Sequence, residues 1–289
     1  LEAEAVTSAI VDGLLIGGAY ALVAMGLAMI WGVMEIINFA HGDFMMLGAL
    51  AAYYAFTLMG LDPLAGGVLA FVMVFALGVG VQRGVINRIL DAPLLTQIAA
   101  TFAVLLIIRY GVQAVLGPYT RRLVTWYQDY YVGLGFTTVP LSKLLIFLVS
   151  LVILALLYIL LNRTDMGIAI RATSQNRMVA QLMGINVSRV YDVTFGIGVG
   201  VAAVGGALVA LFYPIFPEMG GFFALIAFIA VVLGGFGNVY GAYVGGLIIG
   251  VTESVSALFI EPALKDVVAF LLFILIIMIK PTGLFGRGE

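Results

Sequence analysis

The chain has 289 residues, 64% of them hydrophobic and only 10% charged, with a mean hydropathy of +1.20. That composition belongs to a polytopic membrane protein, and a net charge of −2 argues against a nucleic-acid partner. The absence of cysteine excludes disulfides, thiolate metal sites and thiol catalysis.

At about 20 residues per crossing the chain has room for roughly eight to ten membrane helices and no soluble domain. The expected fold is therefore all-α, a single transmembrane domain over 1–289 with eight to nine spans. The amino terminus, Leu1-Glu2-Ala3-Glu4-Ala5, lacks a starting Met and the basic flank of a signal peptide, so it reads as trimmed or partly foreign. The first span, Ala9–Trp31, carries Gly13 and Gly17 as a small-xxx-small pair suited to close helix contact. Glu35 to Asp43 then form a polar cluster without Arg or Lys, leading into the apolar Phe44–Met59. Two readings stand: a turn in water, or a broken, re-entrant segment lining a cavity.

Leu61-Asp62-Pro63 marks an outer turn before the span Leu64–Gln82, and Arg83 and Arg88 mark an inner loop. The span Gln97–Leu116 holds four polar groups, Gln97, Thr101, Arg109 and Gln113. Arg109 and Gln113 are read as snorkelling to the outer interface. The long loop Gly117–Leu141 carries Trp126 and the tyrosines Tyr119, Tyr127, Tyr130 and Tyr131, read as interfacial anchors.

After the span Leu144–Leu161 comes the longest polar break, Asn162–Asp192, with Arg163, Arg171, Arg177 and Arg189. The pattern Arg171–Gly184 predicts one amphipathic helix with Ala172, Val179, Ala180 and Met183 on a shared face, which a membrane subunit would present to a soluble partner. Val193–Tyr213, Phe222–Phe236, Val239–Ile260 and Val267–Ile279 complete nine spans, or eight if Gly237-Asn238 is only a kink. The last half is rich in glycine, with Gly237, Gly241 and Gly245 four apart. Glu253 lies within the eighth span, where facing lipid at mid-membrane would cost roughly 2.5–3.5 kcal/mol, so it should face protein, water or a partner, Arg109 being one candidate.

Nine spans place the N-terminus outside and the C-terminus inside. Arg83, Arg88, Arg163, Arg171, Arg177, Arg189, Lys280 and Arg287 then lie inside, and Arg121, Arg122, Lys143 and Lys265 outside, an asymmetry that favours this orientation. No Lys is followed by Ser or Thr, which excludes a Walker A loop. The glycines of Gly198 to Ala203 mimic a dinucleotide fingerprint, but no strand precedes them. His41, the single histidine, would need Glu35 and Asp43 to hold a metal, and a capping or pore-lining role fits it better.

Three stretches together carry a resemblance: Gly17-Gly18-Ala19-Tyr20-Ala21-Leu22 leading to Ile37-Asn38-Phe39-Ala40-His41-Gly42-Asp43; Met166-Gly167, Arg171-Ala172 and Gly184-Ile185; and Val232-Leu233-Gly234-Gly235-Phe236-Gly237 with Lys280-Pro281-Thr282-Gly283-Leu284-Phe285-Gly286. The chain resembles the LivH-like permease subunits of bacterial branched-chain amino acid ABC importers nearly end to end. The resemblance implies a multi-pass inner-membrane subunit, without a cofactor or metal of its own. Its implied partners are a second, LivM-like permease, two ATP-binding subunits and a periplasmic binding protein. It also implies that Arg171, Ala172, Arg177, Ala180, Met183, Gly184 and Ile185 belong to the helix that docks on an ATPase, with only Ala180 and Gly184 keeping the spacing of the stricter motif of other importers. Asn38 and His41 become candidates for the substrate path, joined by Gln97, Thr101 and Glu253 for their polarity. Related permeases also serve urea, amides and aromatic acids. An ion-coupled secondary transporter using Glu253, or an intramembrane enzyme using Glu35 and Asp43, are the rival readings.

Overall fold

The computed structural model describes residues 2–133, 135, 137–261 and 264–286, with the side chains of Glu2, Ala3, Lys265 and Asp266 outside the description. Arg287, counted above among the inner cations, and Leu1 also lie outside the described residues. Eleven α-helices follow in order: α1 (Glu2–Met34), α2 (His41–Met59), α3 (Pro63–Gly84), α4 (Leu94–Leu116), α5 (Leu141–Arg163), α6 (Asp165–Gln175), α7 (Arg177–Leu182), α8 (Val187–Val209), α9 (Met219–Gly234), α10 (Val239–Phe259) and α11 (Lys265–Ile279). A small antiparallel hairpin, β1 (Tyr131–Gly133) and β2 (Thr138–Pro140), pairs Val132 with Val139 between α4 and α5. Among the described residues seven helices are long and apolar enough to cross a membrane, and the apolar α9 and α11 are shorter.

Lipid gives helices no hydrophobic reason to associate, so close packing must supply it, and glycine sets where the backbones meet. α1 is the axis. Gly13 and Gly17 face Gly250 and Gly246 of α10, where a Cβ on Gly13 would lie 2.5 Å from the Gly250 carbonyl oxygen. The contacts run in opposite order, Gly13 with Gly250 and Gly32 with Gly237, so the two helices are antiparallel. On another side of α1, Gly26 meets Gly198 of α8. The fingerprint-like glycines of α8 are packing surface: Gly200 lies against Phe71 and Gly196 against Phe75 of α3.

The segment at Gly237-Asn238 is a complete reversal and not a kink. Gly234 faces Gly241 and Ala230 faces Gly245, so α9 and α10 form an antiparallel hairpin. The turn needs positive φ at Gly235 (97°) and Gly237 (72°), and Asn238 caps α10 by accepting from Gly241 N at 3.0 Å. The Lys280–Gly286 tail folds onto this turn, with Leu284 N donating to Leu233 O at 2.7 Å and Asn238 Nδ2 to Phe285 O at 3.2 Å.

In the loop between α4 and α5, Trp126, Tyr119, Tyr130 and Tyr131 are exposed. Tyr127 is not one of them: it is buried, and burial together with the charge of Asp62 pushes its phenol up to about 12.

Candidate functional site

The polar cluster after α1 is re-entrant. Glu35 adopts a left-handed φ of 55° and lies exposed, and the chain then doubles back beside α1. His41, the first residue of α2, places Nε2 2.9 Å from the carbonyl oxygen of Val23. Val23 lies eleven residues before Met34, so α2 begins roughly 16 Å back along α1 at 1.5 Å per residue. Irregular backbone at that depth must be satisfied by protein. Thr101 of α4 does part of this by donating to Ile37 O at 3.0 Å, and Asn38 Oδ1 accepts from Ala40 N at 3.2 Å. Asn38 and His41 are buried, and Asn38 Nδ2 and His41 Nδ1 find no hydrogen-bond partner among the described residues. Such groups normally meet a partner, so they mark where a polar solute or water would be welcome.

A second interrupted helix meets this one. α9 begins at Met219, and a Cβ on Gly42 would lie 1.8 Å from the Gly220 carbonyl oxygen, so the amino-terminal turns of α2 and α9 touch inside the bundle. At their junction Asp43, with no exposed side-chain surface, receives two hydrogen bonds from Arg109, Nε to Oδ1 and Nη2 to Oδ2, both 3.0 Å. The expectation that Arg109 snorkels outward is thus corrected: a buried carboxylate is available, and a paired guanidinium replaces the interface. Gln113, one turn on, donates to Glu218 at 2.6 Å. Asp43 was visible in the sequence, but nothing there could name its partner 66 positions away.

Glu253 is not paired with Arg109. Its Oε2 accepts from Tyr20 OH at 3.0 Å, and the residue is buried on the other side of α1's amino-terminal half. Gln97 donates to Leu90 O and Ala92 O, both 3.1 Å, and so steadies the turn before α4. Thr101 is therefore joined to the re-entrant segment, while Gln97 and Glu253 occupy other places. Sequence reasoning passed over Gln82, fully buried with neither amide atom finding a hydrogen-bond partner among the described residues; standing at the end of an apolar span gave no separate signal. Among the described residues no three His, Asp or Glu side chains approach as metal ligands.

The polar loop differs from the single helix expected over Arg171–Gly184. Asn176 is extended (φ −158°, ψ 105°), ends α6, and caps α7 by accepting from Val179 N at 3.0 Å. The break removes the shared face: Ala180 packs into the core, while Met178 (71% exposed), Val179 (52%), Leu182 (81%) and Met183 (77%) form an exposed apolar cluster. Arg171 is tied to the end of α5 through Leu161 O. Arg177 pairs with Asp91 at 2.7 Å and lies over the Tyr191 ring, and the Asp91 hydrogen bond raises its pKa further above the guanidinium norm. Gly184, at φ 83°, closes α7 in the left-handed conformation, with Ile185 N returning to Ala180 O at 3.0 Å. Ala172 lies at intermediate depth on α6.

The family described as the branched-chain amino acid transport system permease component matches residues 9–277. The chain is 33% identical over 291 aligned residues to the high-affinity branched-chain amino acid transport system permease protein LivH of Escherichia coli, covering 96% of this chain and 94% of that one. It is 32% identical to BraD of Pseudomonas aeruginosa, covering 97% and 95%. A probable LivH permease of Methanocaldococcus jannaschii is 29% identical, covering 92% and 88%. With its apolar helices this is a multi-pass membrane protein, and the relatives it matches are named as transport permeases. The chain belongs to the branched-chain amino acid transport permease family, in its LivH-like group.

Proposed function

We propose that this chain, acting as one transmembrane domain over 1–289, is the permease subunit of an ATP-driven importer for branched-chain or other hydrophobic amino acids. The observation that carries this reading is the match to permeases named for that transport along nearly the whole chain. It works with a second permease, two ATP-binding subunits that hydrolyse the ATP, and a periplasmic binding protein, and needs no cofactor of its own. The N-terminus faces the periplasm and the C-terminus the cytoplasm of a bacterial inner membrane. Arg83, Arg163, Arg171, Arg177 and Arg189, gathered at the end of the bundle that carries α6 and α7, support this orientation.

The exposed Met178, Val179, Leu182 and Met183 are the contact offered to an ATPase groove, since an apolar cluster at the end of a membrane subunit calls for a partner. Movement of α6 and α7 reaches the bundle through Ala180, Arg171 and Arg177. The interrupted starts of α2 and α9, with Asn38 and His41, are the part of the path that opens and closes. The direct test is to purify the chain from its native membrane and reconstitute what accompanies it. ATP-dependent leucine uptake with an ATPase, a second permease and a binding protein is the expected result. Uptake by this chain alone, without ATP, would establish a secondary transporter instead.

Two substitutions probe the parts. Gly184→Arg places a side chain into open space at a left-handed φ, costing about 1–3 kcal/mol of local strain. We expect the variant to insert in the membrane and lose transport; normal uptake would count against the coupling role. The double change Asn38→Leu, His41→Leu removes two buried polar side chains, and uptake should fall by ~10-fold or more, as loss of a hydrogen bond of ~1.5 kcal/mol implies. Unchanged uptake kinetics would take both residues out of the path.

A further inference from the structure

α5 and α10 both pack on α1, α5 through Phe147 and Ser150 against Gly18 and α10 through Leu247 against Gly17. Between them a groove of about 520 Å3 opens to the side of the bundle. Its walls are two stripes at helical spacing, Leu151, Ala155, Tyr158 and Ile159 on α5 and Tyr240 and Val244 on α10. Two of its hydroxyls are already engaged: Tyr243 OH lies 2.9 Å from Ser150 Oγ, and Tyr240 OH accepts from Asn162 Nδ2 at 2.6 Å. The surface on offer is hydrocarbon. From Leu151 to Ile159 is about 12 Å at 1.5 Å per residue, which makes the groove roughly 7 Å across, narrower than a helix of ~10–12 Å with its side chains. A hydrocarbon chain fits, and a helix does not.

The end of the groove where α5 runs into α6 is cationic. Asn162 continues the α5 stripe one turn beyond Tyr158, and its side chain stands between Tyr240 and Arg171, whose Nη1 is 3.5 Å from Asn162 Oδ1. Arg163 is exposed in the last turn of α5, and Asp165 in the first turn of α6 is the acidic residue beside them in the chain. We propose that this groove is a phospholipid site, in which one acyl chain lies between α5 and α10 and an anionic head group lies beside Arg163 and Arg171. Left empty, the groove would forfeit dispersion contacts along its whole length, so in a bilayer a lipid chain fills it. Basic pockets between membrane helices select anionic head groups, and the Arg171–Asn162–Tyr240 row joins the cations to the groove wall. The site depends on the bilayer face of the chain and not on the solute carried.

The experiment uses the full chain, purified with the subunits that accompany it and placed in phosphatidylcholine vesicles. A trace of phosphatidylglycerol or of phosphatidylcholine carrying a diazirine on one acyl chain is added, and the adducts are mapped by peptide mass spectrometry. Phosphatidylglycerol should label 151–159 and 240–244 about 5-fold more than phosphatidylcholine does, equivalent to ~1 kcal/mol from a cation near the surface. The double variant Arg163→Gln, Arg171→Gln should lose that preference, and Ala155→Trp, which fills the groove from its open side, should lose the adducts of both lipids. The exposed face of α3 at Val68 and Val72 is the control, where neither lipid is favoured. Equal labelling of the groove by the two lipids, labelling no denser than on α3, or a groove left unlabelled because a second copy or another subunit covers it overturns the site. The preference and its map in the unmodified chain decide the matter even where a variant fails to fold.

Discussion

Replacing Arg109 by methionine should destabilise the chain by about 3–5 kcal/mol, because Asp43 is left charged and unpaired where no side-chain surface reaches solvent. The measurement is loss of folded chain with temperature in detergent. The double variant Arg109→Met, Asp43→Leu should recover much of that loss, since an apolar pair of similar volume carries no desolvation penalty. Equal stability of the single variant and the unmodified chain, or a double variant no better than the single one, would show that the pair does not hold the junction. Transport is the second readout. The ion pair joins α4 to the start of α2, and Gly221 of α9 lies against the same guanidinium. A double variant that is stable but inactive would assign the pair to movement of the junction.

Gly42→Ala should be the most damaging of the glycine changes at that junction. The added carbon would sit 1.8 Å from a backbone oxygen of Gly220, which no side-chain rotation can relieve, and overpacking of this kind costs typically ~1–3 kcal/mol and occasionally more. Gly80→Ala in α3 is the control: nothing lies within 4 Å of the new carbon, and alanine in a helix is favoured by about 1 kcal/mol. The same chemical change should thus lower stability at one site and leave or raise it at the other. Similar melting of the two variants would contradict the close approach of α2 and α9.

The residues explain which features were legible beforehand. Gly13 and Gly17 announced a close helix contact by spacing alone, since small residues four apart share a face. Their partners, Gly246 and Gly250, lie more than two hundred positions away and could not be named. The polar run from Glu35 to Asp43 was too short for a domain and too polar for lipid, which left a turn or a re-entrant segment. Only the seating of His41 against Val23 decides for re-entry, because local pattern contains no depth. Arg109 was misplaced for a related reason: snorkelling is the general solution for an isolated cation, and Asp43 makes this one a special case. In the polar loop between α5 and α8, the helical period concealed the break at Asn176, whose side chain caps the next helix in preference to continuing the last.

By itself, the sequence determined the solvent of this protein, its all-helical class, the placement of its long apolar helices and the one long polar loop between them. Each of these follows from local hydropathy and charge, which act at the scale of one helix. Tertiary structure alone decided how the glycine faces pair, where the interrupted helices α2 and α9 meet, and which carboxylate each buried cation or phenol finds. Those outcomes depend on contacts between segments far apart in the chain, where packing and desolvation choose among partners that the local pattern treats as equal.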